Sequence, residues 1–183
     1  MKLGDVLKKE RERKKISQDD MASKLGLPPE EYKEMEDGGS PAEKWGPLLA
    51  KIAIKLETPT SRLLADSGKS ADCKAGQAGE LIRKHRERRS KIEQADEQLR
   101  LGQINQTLHD DLVRKHRESA KTVDELAEYI EVSKDEYEQI EAGQSGIEKY
   151  GPLLLHYAEV IEQPVFNLFY PCGLPLEKLD DYP

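Results

Sequence analysis

The chain of 183 residues is poor in the residue types that mark secreted, metal-binding and membrane proteins. It has one tryptophan, two phenylalanines and two cysteines, Cys73 and Cys172. Two cysteines form neither a disulfide framework nor a zinc-binding pattern, and the sequence gives them no role. No apolar run approaches the roughly 20 residues of a membrane span, and the charged N-terminus is unlike a signal peptide. We therefore expect a cytoplasmic protein that has no membrane partner.

The sequence also lacks the patterns that mark a catalytic site. It has four histidines, and none shows a Cys–His or Ser–His–Asp spacing. No glycine-rich phosphate-binding loop is present, and carboxylates are too abundant to single out a catalytic pair. We expect no enzyme, no catalytic residue, no metal and no cofactor.

Charged residues are plentiful, at 36% of the chain, but their signs are unevenly distributed. Residues 1–70 hold 14 Lys/Arg and 13 Asp/Glu, whereas residues 108–183 hold 7 Lys/Arg and 17 Asp/Glu. The second region, at net −10, repels a phosphate backbone unless its basic groups are segregated on one face.

Residues 16–45 carry the pattern of a helix-turn-helix. Ser17 is a good N-cap, and Gly26 can end the helix that follows because it tolerates a positive φ. Pro29 suits the first turn of a second helix, and Gly38 ends that helix. The sequence therefore predicts two short helices joined by a tight turn.

This pattern occurs twice. When the chain is shifted by 105 positions, residues 3–68 fall on residues 108–173 without a gap, and glycines and prolines coincide as well as apolar residues. We read this as two copies of one domain. The predicted units are residues 1–70, a linker and helical insert at 71–107, an acidic second domain at 108–173, and an extended tail at 174–183.

The insert predicts a helical hairpin. We expect one helix over residues 79–100, a turn near Gly102, and a second helix from about residue 105 that continues as the first helix of the second domain. The segment Glu80-Leu-Ile-Arg-Lys-His-Arg-Glu recurs as Asp111-Leu-Val-Arg-Lys-His-Arg-Glu. The basic cluster from Arg83 to Arg89 fits either nucleic acid or the acidic second domain, and pairing within the chain is the simpler reading.

Four segments of the first copy, taken in order, resemble the Cro/C1 (Xre-type) helix-turn-helix family. They are Leu3-Gly-Asp-Val-Leu-Lys-Lys-Glu-Arg, Ser17-Gln-Asp-Asp-Met-Ala, Glu36-Asp-Gly and Ile52-Ala-Ile-Lys-Leu. The resemblance implies an all-α protein of two tandem five-helix, lambda-repressor-like domains, in which the third helix enters the DNA major groove. It also implies a structural ion pair between Arg11 and Glu36, and a DNA contact from Gln18.

The third helices depart from the family pattern because they are acidic. If the first copy binds double-stranded DNA, the contacts fall to Gln18, Glu30, Lys33 and Lys44. Glutamate can accept a hydrogen bond from cytosine, but several glutamates near phosphates are unfavourable. The second copy has Val123 in place of Gln18 and a more acidic third helix, so we expect it to be degenerate and not to read DNA.

Two functions remain open. One is a DNA-binding transcriptional regulator that reads DNA with its first copy, as the resemblance favours. The other is an adaptor that binds a protein partner, as the acidic third helices favour. The expected partner surface consists of Asp135, Glu136, Glu138, Phe166 and Phe169. A homodimer is a further expectation, and the sequence identifies neither a DNA target nor a protein partner.

Overall fold

The computed structural model describes residues 1–58 and 77–162, which are helical and contain no strand. The helices in these ranges are α1 (Leu3–Arg13), α2 (Gln18–Leu25), α3 (Pro29–Glu36), α4 (Ala42–Lys55), α5 (Ala78–Arg86), α6 (Arg89–Arg100), α7 (Gln106–Ser119), α8 (Val123–Ile130), α9 (Lys134–Glu141) and α10 (Ile147–Val160). None of them is both long and apolar enough to cross a bilayer.

Helices α1 to α4 form the first bundle. Ser17 caps α2 by accepting a hydrogen bond from the Asp20 backbone, and Gly26 ends it at φ +67°. Helix α3 packs against α1 and α2, and α1 also packs against α4. The helices bury their apolar faces around Tyr32 and Leu49, neither of which is exposed. The helix-turn-helix that residues 16–45 predict is therefore present as α2 and α3.

Helices α5, α8, α9 and α10 form the second bundle, which repeats these contacts. Helix α9 packs against both α5 and α8, and α5 packs against α10. Thr122 and Ser133 cap α8 and α9, each with a capping box that a glutamate three residues on completes. The pairs Tyr32/Tyr137, Met35/Ile140, Leu49/Leu154, Ile52/Tyr157 and Ala53/Ala158 are all buried.

Helices α6 and α7 form the predicted hairpin, which we call the arm. They pack against each other and are joined at Gly102, which has φ +68°. Helix α7 has no buried residue, so the arm is a thin two-helix extension of the second bundle.

The first helix of the second bundle is α5, which corrects the expectation that this helix begins at residue 108. The Glu43 carboxylate accepts the backbone N–H groups of Leu3 and Gly4 at 3.1 and 2.6 Å. Glu148 accepts those of Ala78 and Gly79 in the same way, at 3.1 and 2.7 Å. The gapless match therefore holds from α8 onward, and the arm is inserted between the first two helices of the second bundle.

Two further helix boundaries differ from the sequence expectation. The helix expected over residues 79–100 is broken at Arg88, which has φ +58° and donates Nη1 to the Leu56 carbonyl at 2.9 Å. Pro47 suits the first turn of a helix and predicts a start there, but α4 begins at Ala42 and Pro47 lies inside it. The earlier start places Glu43 where it can cap α1.

The two bundles share one continuous apolar core. Helices α4 and α10 pack against each other, α4 also contacts α8, and α10 also contacts α2. Each long helix therefore touches the second helix of the other bundle, as in a dimer whose two halves use the same surface.

Several sequence expectations lie outside the described residues. They concern the fifth helix of each copy, the partner residues Phe166 and Phe169, the tail at 174–183, and both cysteines. The domain boundaries at residues 70 and 173 also fall there and stay predictions.

We predict that Tyr32→Ala and Leu49→Ala each lower the free energy of unfolding by about 2–5 kcal/mol, because each leaves a cavity in a fully buried site. Chemical denaturation followed by circular dichroism measures this change. The control is Leu108→Ala in the arm, where the side chain is 46% exposed and the cost should stay below about 1 kcal/mol. Equal costs at Leu49 and Leu108 would contradict the assigned core.

Candidate functional site

A buried ion pair joins the first and third helices of the first bundle. Arg11 Nε and Nη2 donate to the two carboxylate oxygens of Glu36 at 2.5 and 3.0 Å. Arg11 Nη1 donates to the Ile16 carbonyl at 2.8 Å, so the same guanidinium also holds the turn before α2. The structure thus brings together the two residues expected to form a structural pair.

Gln18 takes part in this pair. Its side-chain amide donates to Glu36 Oε2 at 2.6 Å, and the Tyr32 hydroxyl donates to Oε1 at 2.6 Å. Although burial alone would raise the pKa of the Glu36 carboxyl, the hydrogen bonds from Arg11, Tyr32 and Gln18 lower it below its usual value. The residue expected to contact DNA is therefore bound within the protein.

The second bundle has the same pair with fewer donors. Arg86 Nε and Nη2 donate to Glu141 at 2.5 and 3.0 Å, and Nη1 donates to the Lys121 carbonyl at 3.1 Å. The Glu141 hydrogen bond and charge raise the pKa of Arg86, against the opposing effect of burial. Val123 stands where Gln18 stands and cannot donate, so this carboxylate loses a contact that the first bundle has.

The outer face of α3 is an acidic groove. Glu30, Lys33 and Glu34 are exposed. A concave surface of about 660 Å³ is lined by Pro28, Glu30, Glu31, Lys33, Glu34, Asp37 and Tyr150. Four carboxylates face one lysine in this lining, and Tyr150 comes from the second bundle. We call this surface the α3 groove.

Two of the ion pairs that cross between the bundles match each other. Lys44 Nζ lies 3.4 Å from Glu136 Oε1, and Lys149 pairs with Glu31. Lys149 and Glu136 lie 105 positions after Lys44 and Glu31, so each bundle gives the same lysine and the same glutamate to the other. Both glutamates lie in the first turn of a third helix.

Aromatic contacts continue this interface. Lys44 Nζ lies 4.6 Å from the centroid of the Trp45 ring, so its charge faces the ring as well as Glu136. The Trp45 ring packs directly on Gly146, where any Cβ atom would lie closer than 3 Å to ring atoms. Tyr157 of the second bundle donates its hydroxyl to the Leu7 carbonyl of the first.

On α9, the expected partner residues Asp135, Glu136 and Glu138 are all exposed. Within residues 1–58 and 77–162, Asp135 and Glu138 form no ion pair, whereas Glu136 is engaged by Lys44. The sequence expectation did not include Glu31, Lys149 or Gly146. The 105-residue shift could have revealed the two lysines and the two glutamates as matched pairs, but not their pairing across the bundles.

No group of three or more histidine, cysteine or carboxylate side chains within residues 1–58 and 77–162 has the geometry of a metal site. In these ranges the buried titratable side chains are those of Arg11, Glu36 and Arg88 together with the tyrosines at positions 32, 137, 150 and 157. The geometry is that of two bundles held together by charge and by a shared core.

We predict that Glu36→Gln lowers the free energy of unfolding at neutral pH by about 3–5 kcal/mol, because it leaves the Arg11 charge buried without a counter-charge. Because the pKa of Glu36 is lowered in the folded state, its contribution is present above the unfolded value of about 4.3 and is lost as the pH falls through the folded value. Unfolding measured from pH 7 to pH 2.5 should therefore show a shallower acid loss in the variant.

The control for this prediction is Glu12→Gln. Glu12 lies 3.8 Å from the same guanidinium, but its side chain is 56% exposed. This change should leave the acid dependence of the wild type intact, with a cost below about 1 kcal/mol. A similar effect of the two substitutions would show that the pair with Glu36 is no stronger than a surface contact.

We predict that Gly146→Ala destabilises the protein by about 1–3 kcal/mol, because the new methyl group collides with the Trp45 ring. A second substitution, Trp45→Leu, should recover part of that loss, and a double-mutant cycle measures the coupling. The control is Gly39→Ala, whose Cβ would lie at an ordinary 3.4 Å from its nearest neighbour. Additive costs for positions 45 and 146 would argue against the contact.

Comparison with known proteins finds no match: no family model matches the chain, and no curated protein or solved structure is similar to it.

Proposed function

We propose that the chain is a non-enzymatic protein-interaction adaptor, cytoplasmic, built on two tandem five-helix domains similar to the Cro/C1 (Xre) family. The fifth helix of each domain would lie in residues outside the described ranges. The observation that carries the proposal is that side chains expected to reach DNA make contacts inside the protein. The Gln18 amide donates to Glu36, and Lys44 faces Trp45 and Glu136. Releasing Gln18 for DNA would remove one of the hydrogen-bond donors of the buried Glu36 carboxylate, which costs stability.

The charge of the third helices supports the same conclusion. In a DNA-bound helix-turn-helix, the first residues of the third helix face the base edges and lie close to phosphates. In α3 these positions include Glu30 and Glu31, and in α9 they include Asp135 and Glu136. Carboxylates at both positions repel the phosphate backbone, and the acidic second bundle strengthens this effect.

The α3 groove indicates the chemistry of the partner. Its carboxylates can accept charge-assisted hydrogen bonds, which arginine and lysine side chains donate best. Helix α9 of the second bundle likewise exposes Asp135 and Glu138. The partner we propose is therefore a lysine- and arginine-rich segment of another protein.

The second candidate is a DNA-binding regulator that reads duplex DNA with α3. It is favoured by the exposed basic groups Lys8, Lys9 and Arg13 of α1, together with the exposed Lys33. In this alternative the Gln18 amide leaves Glu36, Lys33 contacts the major groove of the DNA, and Glu30 accepts a hydrogen bond from cytosine. In this alternative the two bundles of one chain correspond to the two subunits of a dimeric DNA-binding protein. A homodimer of the whole chain stays a separate prediction.

We predict that the full-length protein binds an arginine-rich peptide and not a random-sequence DNA duplex, because the α3 groove is acidic. Fluorescence anisotropy with both labelled probes, titrated over salt, measures this difference. Glu30→Lys combined with Glu34→Lys should weaken peptide binding at least about tenfold. The control, Glu93→Lys with Glu128→Lys, makes the same charge change at exposed positions away from the groove and should keep most of the binding.

Gln18→Leu separates the two functions. If the protein is an adaptor, this change lowers stability by about 1–3 kcal/mol, because Glu36 loses a donor, and leaves peptide binding intact. If it is a DNA reader, the same change weakens duplex binding by about 1–3 kcal/mol. Salt-dependent duplex binding that Gln18→Leu removes would refute the adaptor, and a protein that binds neither probe would refute both.

A further inference from the structure

The chain contains two near-copies of one helical segment, and only one of them is packed in a bundle. Residues 80–87 and 111–118 differ only by Glu80/Asp111 and Ile82/Val113. The first copy lies in α5 and is seated in a groove formed by α9 and α10. The second lies in α7, which has no buried residue. Because the two copies are nearly identical, the shared segment does not determine which of the two helices packs in the groove between α9 and α10.

The two residues before the shared segment meet the strictest demands of the groove. Ala78 is fully buried, and a Cβ atom on Gly79 would lie closer than 3 Å to the carbonyl oxygens of Ile140 and Glu141. The backbone N–H groups of both residues also donate to the Glu148 carboxylate. A Cβ atom at position 79 is excluded because the opposing atoms are backbone and cannot move aside alone, and the full burial of Ala78 disfavours a larger side chain at position 78.

In α7 the corresponding residues are His109 and Asp110. His109 would bring a ring into a fully buried site. Asp110 would bring a Cβ into the backbone of α9 and a second carboxylate against Glu148. The rest of α7 fits better, since Val113 matches Ile82 and Arg117 matches Arg86.

The position of α7 in the chain leaves it close to the groove. It ends at Ser119, and α8 of the second bundle begins at Val123. In the first bundle the arginine lies five residues before the carbonyl that it holds, Ile16. Arg117 lies four residues before Lys121, one residue fewer than separate Arg11 from Ile16. Packing α7 in the groove would therefore need only a slightly tighter turn before α8.

We propose that the second bundle has one groove for two competing copies of its first helix, and that residues 78 and 79 select α5. Helix α7 is a helix-one segment that His109 and Asp110 keep out of the groove. In the arm these two residues have other partners: His109 Nε2 lies 2.7 Å from Asp96 on α6, and Asp110 accepts from Gln106 at 2.8 Å. The same two residues thus exclude α7 from one site and hold it in another.

The first test makes α7 competent in the full-length protein by His109→Ala with Asp110→Gly. Hydrogen exchange read by mass spectrometry compares α5 and α7, which give separate peptides. If α7 now competes with α5 for the groove, the protection of the α5 amides against exchange should fall at least tenfold and that of the α7 amides should rise. The control, His109→Ala with Asp110→Ala, breaks the same arm contacts but keeps a Cβ at position 110, and it should leave α5 protection within twofold of the wild type. Equal behaviour of these two variants would overturn the proposal.

The second test adds Ala78→His and Gly79→Asp to the first variant, which exchanges the two pairs of residues. Protection should then move from α5 to α7. Arg117→Ala should become more destabilising than Arg86→Ala, the reverse of the wild-type order. If this fourfold variant keeps α5 protected, the proposal is wrong. If it does not fold, the comparison of the two variants at position 110 decides.

Discussion

The buried arginine–glutamate pair is the interaction on which each bundle depends. In both bundles one guanidinium reaches the glutamate at the end of the third helix and the carbonyl just before the second helix. Three helices are thereby fixed by one side chain. Because Arg11 and Glu36 are both almost fully buried, losing either one leaves a charge without compensation.

The contact between the bundles includes one glutamate from the first turn of each third helix. The glutamates of the two third helices bind lysines of the opposite bundle, and the long helices α4 and α10 share an apolar core. A dimer of separate chains would reach this arrangement only at sufficient concentration, whereas here covalent connection supplies it. The two acidic third helices are thus held in a fixed position relative to each other.

Much of the helical framework could be predicted from the sequence, because glycine, proline and capping residues act locally. Ser17, Gly26 and Gly102 lie where a cap, a helix end and a turn require them. These features depend on the chain within a few residues of each position.

The features that could not be predicted depend on contacts between distant residues. The motif at 80–87 is nearly identical to that at 111–118, so the motif alone does not show which of the two is the first helix of the second bundle. That helix contains Gly79, which lies close to the backbone of α9, a contact between residues far apart in the chain. The amide of Gln18 was read as a contact for DNA, because the sequence does not show that Glu36 lies within its reach. The ion pair between Glu31 and Lys149 could not be predicted, because it depends on how the two bundles pack against each other.

The inserted arm also separates two residues that must meet when the second bundle forms. In the first bundle the arginine and the carbonyl that it holds are five residues apart, and in the second they are 35 residues apart. Closing the longer loop costs about 1.7 kcal/mol more in chain entropy if the intervening chain is flexible. A preformed helical hairpin brings the ends of that loop together and reduces this cost. The arginine of the first bundle therefore reaches its carbonyl through a local contact, whereas the same contact in the second bundle gains from a folded arm.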